Sequence, residues 1–208
     1  MKESSLLTMQ ETLPVMEAFY TIQGEGVYSG HAAYFIRLAG CDVGCFWCDV
    51  KESWNAESHP KKSINDIALE ASKSASKMVV ITGGEPLMHD LTNLTSVLKK
   101  QGFTIHIETS GAYPLSGELD WVTLSPKKFK KALPEIIPQA NELKVIIYNN
   151  SDFDWAEEYA AKVSDQCELL LQPEWDKEEE MLPKIIAYVK TNPKWKISLQ
   201  THKYMHIP

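Results

Sequence analysis

The sequence predicts an α/β fold, an incomplete and open parallel β/α barrel with few covering helices. Short apolar runs alternate with helix-period segments, and clusters of polar residues and glycines follow those runs. One intervening stretch, Lys127–Pro138, is basic and proline-bearing and reads as a loop or short helix instead of a full crossover. Strand–helix alternation implies parallel pairing through crossover connections. The chain has 208 residues, within the range of one domain with one substantial core. We read 1–208 as that single domain, with 1–16 as a short N-terminal extension.

Ala33–Leu38 is the first predicted strand, followed by a loop that carries cysteines. Ser63 and Asp66 form a capping-box-like start to a helix that runs to about Lys77. Met78–Ile81 is a β-branched run, Asp90–Gln101 a helix and Thr104–Ile107 a strand. Trp121–Leu124, Leu143–Tyr148, Leu169–Leu171 and Lys196–Leu199 are further strands, with helices at Asp152–Ser164 and Glu178–Lys190. The residues able to do chemistry fall where strands end. Cys41 follows the first strand, Gly83–Gly84–Glu85 the second and Glu108–Thr109–Ser110 the third. Ser125–Pro126–Lys127, Gln172–Pro173–Glu174 and Gln200–Thr201–His202 follow later ones. Parallel α/β folds bind ligands at the carboxyl ends of their strands, so these positions should converge on one mouth.

Hydrophobic residues make up 44% of the chain and charged residues 24%, a balance expected of a soluble globular protein. The net charge of −7 argues against a basic face for nucleic acid or anionic lipid. No stretch approaches the roughly 20 apolar residues of a membrane span. Met1–Thr12 lacks the apolar core of a signal peptide, so a cytoplasmic location is expected.

Three of the four cysteines lie within eight residues, as Cys41-Asp-Val-Gly-Cys45-Phe-Trp-Cys48. Such crowding points to metal or redox chemistry, not to a disulfide framework. The thiolates of a C-x3-C-x2-C loop can hold three irons of a cubane and leave the fourth open to another ligand. Soft thiolates suit iron–sulfur clusters or zinc, and structural zinc prefers four protein ligands. Cys167 is remote and reads as a buried apolar residue. Of the histidines, His31, His59, His89, His106 and His206 read as surface or strand residues. Trp54, Trp121, Trp155 and Trp195 read as packing residues.

The cysteine spacing, with Phe46 and Trp47 before the last cysteine, resembles the radical S-adenosylmethionine superfamily. Thr82-Gly83-Gly84-Glu85-Pro86 resembles its GGE element. Phe19-Tyr-Thr-Ile-Gln23-Gly24-Glu25-Gly26 has the form F-x3-Q-G-E-G. With Arg37, Asp49, Ser125-Pro126-Lys127, Gln172-Pro173 and Gln200-Thr201-His202-Lys203, it narrows the resemblance to the 7-carboxy-7-deazaguanine synthases. The likeness spans about Phe19 to Pro208. A glycyl-radical activating enzyme and a non-catalytic zinc or iron–sulfur module remain alternatives.

The resemblance implies a lyase of deazapurine (queuosine) biosynthesis, one step of a tRNA modification pathway. Such an enzyme contracts 6-carboxy-5,6,7,8-tetrahydropterin to 7-carboxy-7-deazaguanine with loss of ammonia. Cys41, Cys45 and Cys48 would hold a [4Fe–4S] cluster whose open iron binds S-adenosylmethionine. A 5′-deoxyadenosyl radical would then take hydrogen from C6 of the substrate. By position, Ile22, Gln23, Gly24, Glu25, Arg37, Thr82 and His202 would contact the substrate, as would the carboxylate at Pro208, so an extension past Pro208 would impair turnover. Trp47, Cys48, Asp49, Gly84, Glu85, Ser125, Pro126, Lys127, Gln172, Pro173, Glu174 and Trp175 would contact S-adenosylmethionine, Glu85 through its ammonium group. A flavodoxin- or ferredoxin-type electron donor and a homodimer are implied as well. One departure stands out: where the family commonly has a threonine ligating magnesium, this chain has Val50. Magnesium prefers oxygen ligands, so weak magnesium dependence, or an ion held only by substrate and water, is expected.

Overall fold

Among the described residues nine strands form one sheet: Thr12–Ile22 (β1), Ala32–Leu38 (β2), Lys61–Ser63 (β3), Met78–Gly83 (β4), Thr104–Thr109 (β5), Trp121–Leu124 (β6), Glu142–Ile147 (β7), Glu168–Pro173 (β8) and Trp195–Ile197 (β9). The computed structural model describes residues 11–208. The strand order is β3-β1-β2-β4-β5-β6-β7-β8-β9. From β2 through β9 every neighbouring pair is parallel, and β1 pairs antiparallel with both β2 and β3. The sheet is open, as the alternation of elements predicts. The helices are Ile64–Ser72 (α1), Thr92–Lys100 (α2), Ser151–Ala160 (α3), Glu178–Thr191 (α4) and Thr201–Met205 (α5).

The antiparallel margin of β1 and β3 was not evident from sequence. Pro14 and Glu17 interrupt the apolar pattern of β1, and its register shifts between Val15 and Glu17. Proline belongs at edges and irregularities because it cannot donate to a ladder; here its carbonyl accepts instead from Ala39 N at 2.9 Å. Residues 12–16 are therefore part of the sheet and not of an extension, while 1–10 lie outside the described residues. The F-x3-Q-G-E-G string begins inside β1 and turns at its end.

The capping box holds: Ser63 Oγ accepts from Asp66 N at 3.1 Å and donates to its carboxylate at 2.6 Å. The helix ends at Ser72, short of Lys77. Ser72 and Ser74 hydroxyls donate to Leu69 and Ala71 carbonyls, and Ser76 Oγ donates to Ala32 O. These local bonds offer the backbone an alternative to further helical turns. Lys127–Pro138 is irregular, with only a short 3-10 turn beginning at Ile137.

Period-two alternation divides the central strands between two environments. Tyr34, Ile36 and Leu38 of β2, Val79 and Ile81 of β4, and Ile105 and Ile107 of β5 pack with α1 and α2. Leu143, Val145 and Ile147 of β7 pack with α3 and α4. The intervening residues, among them Phe35, Arg37, Thr82, Glu108, Lys144 and Ile146, face a cavity on the other side. One face of the sheet supplies hydrophobic stabilisation and the other supplies chemistry.

The gap between the ends of the sheet is bridged near its mouth. Gly26 N donates to Ser198 Oγ at 2.9 Å, and Thr201 N donates to Gly24 O at 2.9 Å. Glycine is required at 24, since a Cβ there would lie 2.3 Å from His202 Nδ1. The turn after β1 and the helix after β9 thus close on one another.

Candidate active site

A cavity of about 510 Å³ opens at the carboxyl ends of the strands. Every site residue proposed from sequence lines it except Pro126, which is buried outside the lining. The cysteine loop lines it as one wall, and Gln23, Glu25 and His202 line it as a floor. Trp54 lines the cavity too instead of serving only as packing. Cys167 sits apart in the apolar layer under α3 and α4.

The cysteine loop rests on the turn after β4. Glu85 N donates to Gly40 O at 2.8 Å and Gly84 N donates to Leu38 O at 3.0 Å. A Cβ at Gly84 would meet Gly40 O at 2.4 Å and Cys41 Cβ at 2.7 Å. The glycines therefore admit the cysteine loop's backbone, a closer demand than approach to a ligand. Glu85 is 1% exposed and its carboxylate is already filled. One oxygen accepts from Leu87 N at 3.1 Å and Thr109 Oγ1 at 2.6 Å; the other accepts from Ser110 N at 2.8 Å and Ser110 Oγ at 2.5 Å. Its first task is to tie β4 to β5 beneath the cysteines, not to receive an ammonium ion.

Burial raises the Cys41 thiol, and it pushes Cys45 up to about 11 even though Lys127 opposes the shift. Positive charge must displace those protons before the sulfurs can act as ligands. Among the described residues no three His, Cys, Asp or Glu side chains gather around a single-ion site. Lys127 Nζ donates to Ser125 O at 2.7 Å and lies 5.7 Å over the Trp47 ring. At the end of β8, the buried Glu174 Oε2 has no hydrogen-bond partner among the described residues.

The floor holds groups that sequence motifs did not assign. Lys144 pairs with Glu25 and lies 3.2 Å from Glu108. Gln23 Nε2 donates to Glu108 at 2.9 Å, and Gln200 Nε2 donates to Glu25 at 2.9 Å. Burial alone would raise Glu25, but the charge and hydrogen bond of Lys144 outweigh it and hold the carboxyl well below its usual range. The signal for Lys144 was present: a lysine inside the apolar run Leu143–Tyr148, out of phase with its apolar neighbours.

A family model, the radical SAM superfamily, matches residues 35–146, more than half of the chain. A 7-carboxy-7-deazaguanine synthase of Flavobacterium psychrophilum is 60% identical over 198 residues, covering 95% of this chain and 94% of the relative. The protein of that name from Synechocystis is 52% identical, with 98% and 97% covered. The crystal structure of QueE from Escherichia coli superposes with a TM-score of 0.79 at 34% identity, covering 92% of this chain and 95% of that one.

The chain belongs to the 7-carboxy-7-deazaguanine synthase family. Among the readings open to the cysteine loop, these likenesses select one. The family's cofactors, a [4Fe–4S] cluster and S-adenosylmethionine, fit the residues present. Cys41, Cys45 and Cys48 are soft donors on one wall, with no fourth cysteine in the lining. Glu174 Oε2 is an acceptor awaiting a donor such as a ribose hydroxyl or ammonium.

Magnesium does not fit in the same way. Val50 offers no side-chain oxygen, and the adjacent Asp49 carboxylate accepts from Lys203 Nζ at 2.9 Å and Gln200 Nε2 at 3.4 Å.

Glu85→Gln puts an amide against donors that now share a carboxylate. We expect a stability loss of about 1–3 kcal/mol in chemical denaturation, together with less iron retained per chain after reconstitution. Unchanged stability and full iron content would refute the bracing role.

Proposed function

We propose that this protein converts 6-carboxy-5,6,7,8-tetrahydropterin to 7-carboxy-7-deazaguanine with loss of ammonia, as a radical S-adenosylmethionine lyase. The observation that carries the reading is that the cysteine loop and the Q-G-E-G turn line one cavity. When bound, the cluster and S-adenosylmethionine supply a 5′-deoxyadenosyl radical for hydrogen abstraction at C6 of the substrate.

The chain's own residues bind and orient. Arg37 lines the cavity while its Nε donates to Glu17 at 2.7 Å, which fixes the guanidinium and leaves its terminal nitrogens for the substrate carboxylate. Gln23 and Glu25 present oxygens suited to the guanidine-like nitrogens of the pterin. Ile22, Gly24, Thr82, His202 and Pro208 complete the substrate side. Trp47, Asp49, Gly84, Ser125, Lys127 and the run Gln172–Trp175 lie on the side assigned to S-adenosylmethionine. Lys127, a cation on that side with no salt bridge to a carboxylate among the described residues, is suited to its carboxylate. Burial lowers the Lys127 ammonium while Cys45 supports its charge.

The expected reductant is a flavodoxin- or ferredoxin-type protein. Phe46, between Cys45 and Cys48, is 57% exposed and packs edge-on against the exposed Phe129. These rings give such a carrier a contact face close to the cluster ligands. A cytoplasmic homodimer is the expected setting. Among the described residues no helix is long and apolar enough to cross a membrane.

Anaerobically reconstituted protein, given S-adenosylmethionine, a reductant and the carboxypterin, should form 7-carboxy-7-deazaguanine detectable by mass spectrometry. Cluster assembly and S-adenosylmethionine cleavage with the pterin left unchanged would overturn the substrate assignment. Magnesium removal should change turnover by no more than about twofold, since no side chain at position 50 ligates the ion, and Val50→Thr should increase the response. Turnover that collapses on chelation and returns at micromolar magnesium would contradict this.

A further inference from the structure

Lys144 stands at the centre of β7 with its side chain 4% exposed, on the cavity face of the sheet. Burying an ammonium is costly unless it is paired and hydrogen-bonded. Here the pairing is more than sufficient, since carboxylates approach from three directions. Glu25 comes from the turn after β1, Glu108 from β5 and Glu142 from two residues earlier on β7. Glu142 is spoken for elsewhere, accepting from Val27 N at 3.0 Å. Glu25 and Glu108 border the cavity instead.

We infer that Lys144 is a positioning residue for substrate recognition, holding the Glu25 and Glu108 carboxylates aimed so that their remaining lone pairs accept from the amino-pyrimidine edge of the pterin. This rests on the reading of the cavity as a pterin site. Each carboxylate is gripped twice, by Lys144 and by an amide: Glu25 by Gln200 and Glu108 by Gln23. Gln23 Oε1 in turn accepts from Glu25 N at 3.0 Å. The Lys144 ammonium thus joins the turn after β1, β5 and β7, and Gln200 links that group to the C-terminal segment. A carboxylate has about four lone-pair sites, and these contacts leave each of the two with acceptor capacity. A purely structural pair would require one carboxylate, and apolar residues of similar volume would stabilise a core as well or better. Two carboxylates sharing one ammonium make instead a locally anionic patch, suited to a ligand edge that carries only N–H donors. Lys144 holds Glu25 low, and Glu108 with Glu25 and Glu142 holds Lys144 high, each against an opposing effect of burial.

The other charged groups facing this patch are His202 from α5, the Asp49–Lys203 pair at the rim, and Lys127, which also lines the cavity. His202 feels both Glu25 and Glu108 but hydrogen-bonds to neither among the described residues, so Lys144 is the cation that grips the two together.

The test compares the reconstituted parent with K144Q and K144R, following kcat and KM for the carboxypterin across pH and the binding of S-adenosylmethionine. In K144Q both carboxylates lose their countercharge, and Glu25 takes up a proton more readily. We expect KM to rise by about tenfold or more and the acidic limb of kcat/KM to move up by about one pH unit, with S-adenosylmethionine affinity kept. K144R retains the charge but not the geometry, so its KM should rise while its acidic limb stays with the parent's. Should K144Q not fold, K144R decides: a limb displaced upward, or a KM equal to the parent's, overturns the proposal. K144Q with the parent's KM and limb overturns it as well. A parent that neither binds nor converts the carboxypterin would remove the functional reading and this proposal together, whereas a working parent with indifferent variants removes this proposal alone.

Discussion

One buried carboxylate organises the mouth of this protein. Glu85 gathers two donors from Ser110, one from Thr109 and one from its own turn, and its amide reaches the carbonyl of Gly40. Three strand ends, those of β2, β4 and β5, are fastened at that point. The cysteine loop leaves β2 there and can lie close only because residue 84 has no side chain. Hydrogen bonds to a charged, water-excluded acceptor are among the stronger ones a protein makes. The cluster ligands thus hang from a rigid support although they sit in a loop.

The floor of the cavity faces the harder electrostatic problem. On the proposed reading it presents negative charge to a substrate edge while remaining buried. Glu25, Glu108 and Lys144 share that task, drawn from elements that lie far apart in sequence and meet because the sheet curves around the cavity. The outward faces of the same strands are almost wholly aliphatic, so the apolar layers under α1–α4 offset the cost of the charged interior. The two faces are products of one alternation. A one-residue slip in β7 would send Lys144 into the helices and Val145 into the site.

Much of this was legible from the residues. The strand–helix rhythm predicted an open parallel sheet, and the strand-end clusters predicted a shared mouth. What escaped has physical reasons. β1 carries Pro14, Glu17 and a register shift, and it pairs antiparallel at the margin, so its apolar period is broken. α1 stops early because serine hydroxyls capture its last carbonyls. Glu85 and Gly84 were visible as a motif, but their support of the cysteine loop depends on contacts with Gly40 and Ser110 that no local pattern encodes. Lys144 lay in plain view as a charged residue within an apolar run, but its carboxylate partners come from other strands and turns that no local pattern joins to β7. Val50 was readable at once, and Lys203 beside Asp49 adds the structural reason that a hard cation is poorly served there.

On the proposed reading this cavity holds the pterin between the charged floor and the cysteine wall, with C6 turned toward the cofactor. The most direct measurement uses carboxypterin deuterated at C6 and follows the label by mass spectrometry in the adenosine-derived products. Deuterium transferred to 5′-deoxyadenosine or to recovered S-adenosylmethionine, accompanied by 7-carboxy-7-deazaguanine, is the predicted result. Product formed with no deuterium transferred would contradict the account.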